Sequence, residues 1–93
     1  MPEGYVLDVT NKAFKFLESL GSKQCKQVAI KMLSLLRDPR PNDSEQLKGS
    51  AKYRRVDIGE YRIIYDVQDN VIQILAIGPR NDGAVYKGFS HSR

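Results

Sequence analysis

Apolar residues recur along this chain with two different periods, and the change from one to the other divides it into a helical and a strand-forming part. In "GYVLDV", residues 4 to 9, Tyr5, Leu7 and Val9 alternate with polar positions, the pattern of a short first strand. Thr10 or Asn11 can then cap a helix in which Ala13, Phe14, Leu17 and Leu20 fall at helical spacing, with Gly21 as the stop. Ser22 caps a second helix at once, and Cys25, Val28, Ala29, Met32, Leu35 and Leu36 form one apolar stripe along it, until Pro39 and Pro41 end the pattern. The stretch "RPNDSEQLKGSA", residues 40 to 51, is polar and rich in turn formers, and reads as a loop with Leu47 as an anchor into the core. Beyond it the period is two: "KYRRVDI" (52 to 58), "YRIIYDV" (61 to 67) and "VIQILAI" (71 to 77) are β-branched and aromatic runs.

The connections between these runs are only Gly59-Glu60 and Gln68-Asp69-Asn70, so consecutive strands must be antiparallel neighbours. The order is strand, helix, helix and a three-strand meander, an α+β domain spanning residues 1 to 93 with a short tail "GAVYKGFSHSR". A helical hairpin has one apolar face to bury, and the sheet is the only candidate to receive it. One face of the sheet is then left open, and that is where function is expected.

Composition narrows the chemistry. The chain has 93 residues, 41% hydrophobic and 28% charged, enough for one modest core. Cys25 is the only cysteine and lies on an apolar helical stripe, which excludes an internal disulfide and reads as core. His91, the only histidine, is two residues from the end, so no paired imidazole mechanism is available. No Cys/His cluster has metal-ligand spacing, no glycine-rich phosphate loop occurs, and no cofactor is implied. Neither a leader-like apolar run nor the roughly 20 apolar residues of a membrane span appears, so a cytoplasmic protein with no membrane role is expected.

The net charge of +4 is too small to argue for an anionic partner by itself, but the placement of the cations is informative. Lys48, Lys52, Arg54, Arg55 and Arg62 lie close together, and Arg80 and Lys87 follow the last strand. Period two puts Arg62, Ile64 and Asp66 on the face opposite Tyr61, Ile63, Tyr65 and Val67. Asp57 faces Arg62 or its diagonal neighbour across the Gly59-Glu60 turn, so Arg62 reads first as a solvated strand arginine paired with Asp57 or Asp66, with a phosphate ligand as the alternative. Arg54 and Arg55 point to opposite faces, and the turn type decides which of them joins Arg62. Gly78-Pro79 breaks the ladder just before Arg80 and aims it off the rim of the sheet.

Taken together, "LKGSAKYRRVDIGEYRIIYDV" and "VIQILAIGPRNDGAVYK" resemble the RelE/ParE superfamily of toxin–antitoxin systems. The shared pattern is a Leu-Lys-Gly anchor, a basic strand, a Gly-acidic-Tyr-Arg turn, an apolar strand, and a Gly-x-Arg element followed by Val-Tyr. It is met at Leu47 to Gly49, Gly59 to Tyr65 and Gly78 to Lys87, and the order of elements is the family's as well. Two departures stand out: Asp57 occupies a place where many relatives are basic, and Val56 falls where a second basic residue is expected.

The resemblance implies a metal-independent, ribosome-dependent endoribonuclease that cleaves mRNA and is neutralised by a cognate antitoxin, with operator DNA bound only through that antitoxin. Its residue pattern falls on Arg62, Arg80, Tyr86 and Arg54 as the catalytic set, with Arg55, Lys52, Lys48 and Lys87 as RNA-binding residues. The alternative within the superfamily is a ParE-like DNA gyrase inhibitor with no active site of its own. A third reading is an inactive basic domain that binds RNA or a partner.

Overall fold

A computed structural model describes residues 4–81. Its elements, in chain order, are β1 (Val6–Val9), α1 (Asn11–Glu18), α2 (Ser22–Ser34), β2 (Ser44–Gln46), β3 (Tyr53–Ile58), β4 (Tyr61–Gln68) and β5 (Val71–Pro79). The strands form one sheet in the order β1-β5-β4-β3-β2. The expected α+β architecture is present, with two additions. β2 lies within the stretch read as a loop, and β1 runs parallel to β5, Leu7 opposite Ile72 and Val9 opposite Ile74.

The helices cover one face. Ala13 and Leu17 of α1, and Val28, Met32 and the C-cap Leu35 of α2, are buried against Val56, Ile63, Tyr65, Ile72, Ile74 and Ile77 of the sheet. Leu7 and Val9 pack at the edge of this core. The Tyr65 hydroxyl, which would be costly to bury alone, donates to the Pro39 carbonyl at 2.8 Å and ties the segment after α2 to the sheet.

Two helix details differ from the expectation, at Phe14 and at the cap of α2, and one alternative is resolved, at Thr10. Phe14 is half exposed, and Phe16 packs in its place, meeting Tyr61 edge to face at 6.0 Å. The buried face is therefore Ala13, Phe16, Leu17 and Leu20, the i, i+3, i+4, i+7 series, from which residue 14 is rotated away. Thr10 is the N-cap of α1, its Oγ1 accepting from the Ala13 N–H at 3.3 Å. Gly21, with extended backbone (φ −64°, ψ 162°), is the N-cap of α2, and Ser22 is its first residue.

β2 escapes sequence reading because Ser44-Glu45-Gln46 has no apolar alternation; it is a strand by virtue of its ladder to β3 alone. Between β3 and β4 the two-residue turn has Gly59 at φ +60° and no positive φ at Glu60, as a type II′ turn requires. That turn sets Ile58 opposite Tyr61 and Asp57 opposite Arg62.

The β4–β5 ladder carries one irregularity. Ile64 pairs with Ala76 and Tyr65 with Ile74, leaving Leu75 as an extra residue, a β-bulge. Ahead of the bulge, even-numbered residues Ile72 and Ile74 face the helices. After it, Ile77 does. The Leu75 carbonyl accepts from Thr10 Oγ1 at 3.3 Å, so the bulge is fastened to the cap of α1.

Candidate functional site

The face away from the helices is made by the complementary positions of the same strands, and register assigns its residues. Arg55 lies opposite Ile64, Asp57 opposite Arg62, and Tyr53 opposite Asp66, so Tyr53, Arg55 and Asp57 of β3 share a face with Arg62, Ile64 and Asp66 of β4. On β5, Gly78 lies opposite Arg62 and Gln73 opposite Asp66. Arg80 continues this series: its backbone N–H donates to the Glu60 carbonyl at 2.9 Å, and it follows Gly78 by two residues. Gly78 itself places no side chain beside Arg62.

The face has three zones. At the end near the Gly59-Glu60 turn stand Arg55, Arg62 and Arg80 around Asp57. The middle is a small second core of Ile64 and Ala76 with Leu47 and Leu75 packed on it. Leu47 is thus an anchor as expected, but on the open face rather than under the helices. The far end is carboxylate and amide, with Asp66 buried, Gln73 donating to Asp8 at 3.1 Å, and a shallow cavity of about 240 Å³ lined by Asp66, Gln68, Asp69, Val71 and Gln73.

In the basic zone, Arg62 Nε donates to Asp57 Oδ1 at 2.7 Å and its Nη2 to Oδ2 at 3.1 Å. Arg55 Nη1 is 3.8 Å from Asp57 Oδ2, while its Nη2 donates to Glu45 at 2.8 Å from the edge strand. The hydrogen bonds from Arg62 hold the Asp57 carboxyl below the usual carboxylate range; partial burial opposes this, and the charges of Arg62, Arg55 and Arg80 add to it. All three guanidinium groups therefore act on one carboxylate. Arg62 is thus a salt-bridge partner within a cluster of cations.

The remaining predicted residues are distributed as follows. Arg54 pairs with Tyr65 and lies on the helix-facing side, where its Nη2 donates to Ser44 Oγ at 2.9 Å. The structure thus unites Arg55, not Arg54, with Arg62 and Arg80. Lys52 is exposed at the far end, 3.8 Å from Asp66 and 5.3 Å from the centre of the Tyr53 ring. Lys48 is exposed in the turn before β3. Tyr86, Lys87 and His91 lie outside the described residues. Sequence reasoning gave no part to Glu45, whose pairing with Arg55 follows from an edge strand that only the ladder reveals.

A model of the ParE toxin family, the toxin of the type II toxin–antitoxin system parDE, matches residues 7–83. The chain belongs to this toxin family. Relatives within the wider RelE/ParE superfamily include RelE proteins. The mRNA interferase toxin RelE of Escherichia coli K12 is 29% identical over 86 residues, which cover 88% of this chain and 90% of that protein. Among solved structures, a double mutant of E. coli toxin RelE in the free state superposes with a TM-score of 0.76 at 26% identity, covering 91% of this chain and 93% of that one. The archaeal RelE-RelB complex from Pyrococcus horikoshii OT3 gives 0.74 at 29% identity over 84% and 97% of the two chains. The protein is a RelE-like toxin of toxin–antitoxin systems. No helix among the described residues of this toxin is long and apolar enough to cross a membrane.

Proposed function

We propose that this RelE-like toxin is an mRNA interferase, a metal-independent endoribonuclease that cuts mRNA in the ribosome and is silenced by a cognate antitoxin. The observation that carries the reading is the meeting of Arg55, Arg62 and Arg80 on one sheet face. The name of the E. coli relative, mRNA interferase toxin RelE, supports it.

In the proposed reaction the 2′-oxygen of one nucleotide attacks the adjacent phosphorus, a 2′,3′-cyclic phosphate forms, and the 5′-oxygen leaves with a proton. Negative charge grows on the phosphoryl oxygens at the transition state. Guanidinium groups are suited to that task because they present paired donors that stay charged at any working pH. Arg62 and Arg80 take this role, with Arg55 filling the place that the family pattern gave to Arg54. Arginine is a poor proton acceptor, and Asp57, its acidity strengthened by Arg62, is a weak base. The base is then Tyr86 or a group of the ribosome, since Lys52 stands at the opposite end of the face beside Asp66. Lys48, Lys52 and Lys87 serve the RNA backbone at the periphery.

The antitoxin reading has its own support. The outer surface of α2 exposes Ile30 and Leu33 at 55% and 54%, beside an apolar groove lined by Gln27, Ile30, Lys31, Ser34 and Ile58. Solved relatives include RelE-RelB complexes. A partner covering this surface would remove apolar area from water, and operator DNA would be reached through that partner.

Expression without a partner tests the reading. Translation should stop, with mRNA cut inside codons, and Arg80→Ala or Arg62→Ala should each lower the cleavage rate by about 100-fold or more. Intact mRNA with broken DNA would instead assign the chain to gyrase inhibition, and undisturbed growth would leave an inert basic domain.

A further inference from the structure

The cationic zone of the open face already contains an anion, supplied by the chain itself. Arg62 grips Asp57 through Nε and Nη2 at 2.7 and 3.1 Å, the two-bond arrangement by which a guanidinium also takes two oxygens of a phosphate. Arg55 stands 3.8 Å from the same carboxylate, and the charge of Arg80 acts on it. A phosphodiester that takes Arg62 along its Nε–Nη2 edge would need the donors that Asp57 now holds. On that edge the two anions compete for one place.

We propose that Asp57 is a resident stand-in for the substrate phosphate, keeping Arg62 in binding geometry until a phosphodiester of single-stranded RNA displaces it. The identity of the ligand rests on the nuclease reading above; the competition between anions rests on the geometry of the pair. The side chains of Arg62 and Asp57 are 16% and 28% exposed, so a carboxylate released from the guanidinium meets solvent rather than a dry interior. The type II′ turn places the two residues directly opposite each other, and the stand-in is therefore always at hand. A lone phosphate gains little by replacing it. An RNA strand that also engages Arg55 and Arg80 gains more, so Asp57 sets a threshold that favours extended RNA over free nucleotides.

The test is a binding measurement on the full chain, using a fluorescent 2′-O-methyl RNA whose blocked nucleophile prevents cleavage. Asp57→Asn and Asp57→Ala should each bind about 3- to 10-fold more tightly than the parent. The slope of log affinity against log salt should steepen by up to about one unit. In an Arg62→Ala background the gain should largely vanish, since the competition requires both partners. Circular dichroism establishes that each variant is folded. Unchanged or weaker binding by both folded Asp57 variants overturns the proposal. Because no bond is cut in this assay, the two readings fail separately. Tighter binding with intact mRNA on expression would sink only the nuclease; cleaved mRNA with unaltered affinity would sink only the stand-in.

Discussion

Two aspartates on the open face are driven in opposite directions by their surroundings. Asp57 is held low by hydrogen bonds from Arg62, and so favours the folded state above its unfolded pKa and loses that contribution as pH falls through its lower folded value. Its partial exposure keeps the effect small. Asp66 is raised, chiefly by burial, with Lys52 opposing. Its charge therefore burdens the folded state at neutral pH, and the burden is lifted as pH falls through the raised value. Asp66→Asn should accordingly raise the thermal midpoint at pH 7, with a gain that shrinks on acidification, measured by melting curves across pH. At this scale the sequence announced Arg62, Arg80 and the proximity of Asp57. It left Arg54 and Arg55 undecided, because a one-residue choice of register exchanges their faces and only the turn at Gly59 makes it.

Among the elements, α1 depends on a single oxygen. Thr10 Oγ1 caps the helix and also donates to the carbonyl of the bulge residue Leu75, so it joins α1 to β5. Thr10→Ala should cost about 1 kcal/mol, which for a domain of this size lowers the thermal midpoint by roughly 4–8 °C. Chemical denaturation measures the loss. Helices and meander strands were legible because their apolar periods are long and regular. Phe14 misled because a bulky aromatic one step off the buried series resembles a member of it. β2 gave no signal, since polar edge residues hydrogen-bonded on one side satisfy a strand without any apolar pattern. The parallel pairing of β1 with β5 is decided by the route of two helices over the sheet, a long-range matter that local periodicity does not carry.

At the scale of the whole molecule the two working surfaces are separate: exposed apolar residues on α2, and arginines across the sheet. Substitutions on them should be independent. Ile30→Glu with Leu33→Glu should weaken neutralisation by the antitoxin in a co-expression assay while leaving cleavage by the free toxin intact, and Arg80→Ala should do the reverse. What links distant parts of the chain to the arginine cluster is the bulge in β5. Strict alternation from Ile74 would turn Arg80 toward the helices; the unpaired Leu75 absorbs the odd residue and brings Arg80 to the side of Arg62. The strand in effect corrects its own parity. A chain lacking Leu75 should have a regular ladder, a lower melting temperature and unaltered dependence of toxicity on Arg80. One residue inserted between Ile77 and Gly78 should silence the toxin with every functional side chain still present. For β5, an odd or even count of residues decides more than their identity does.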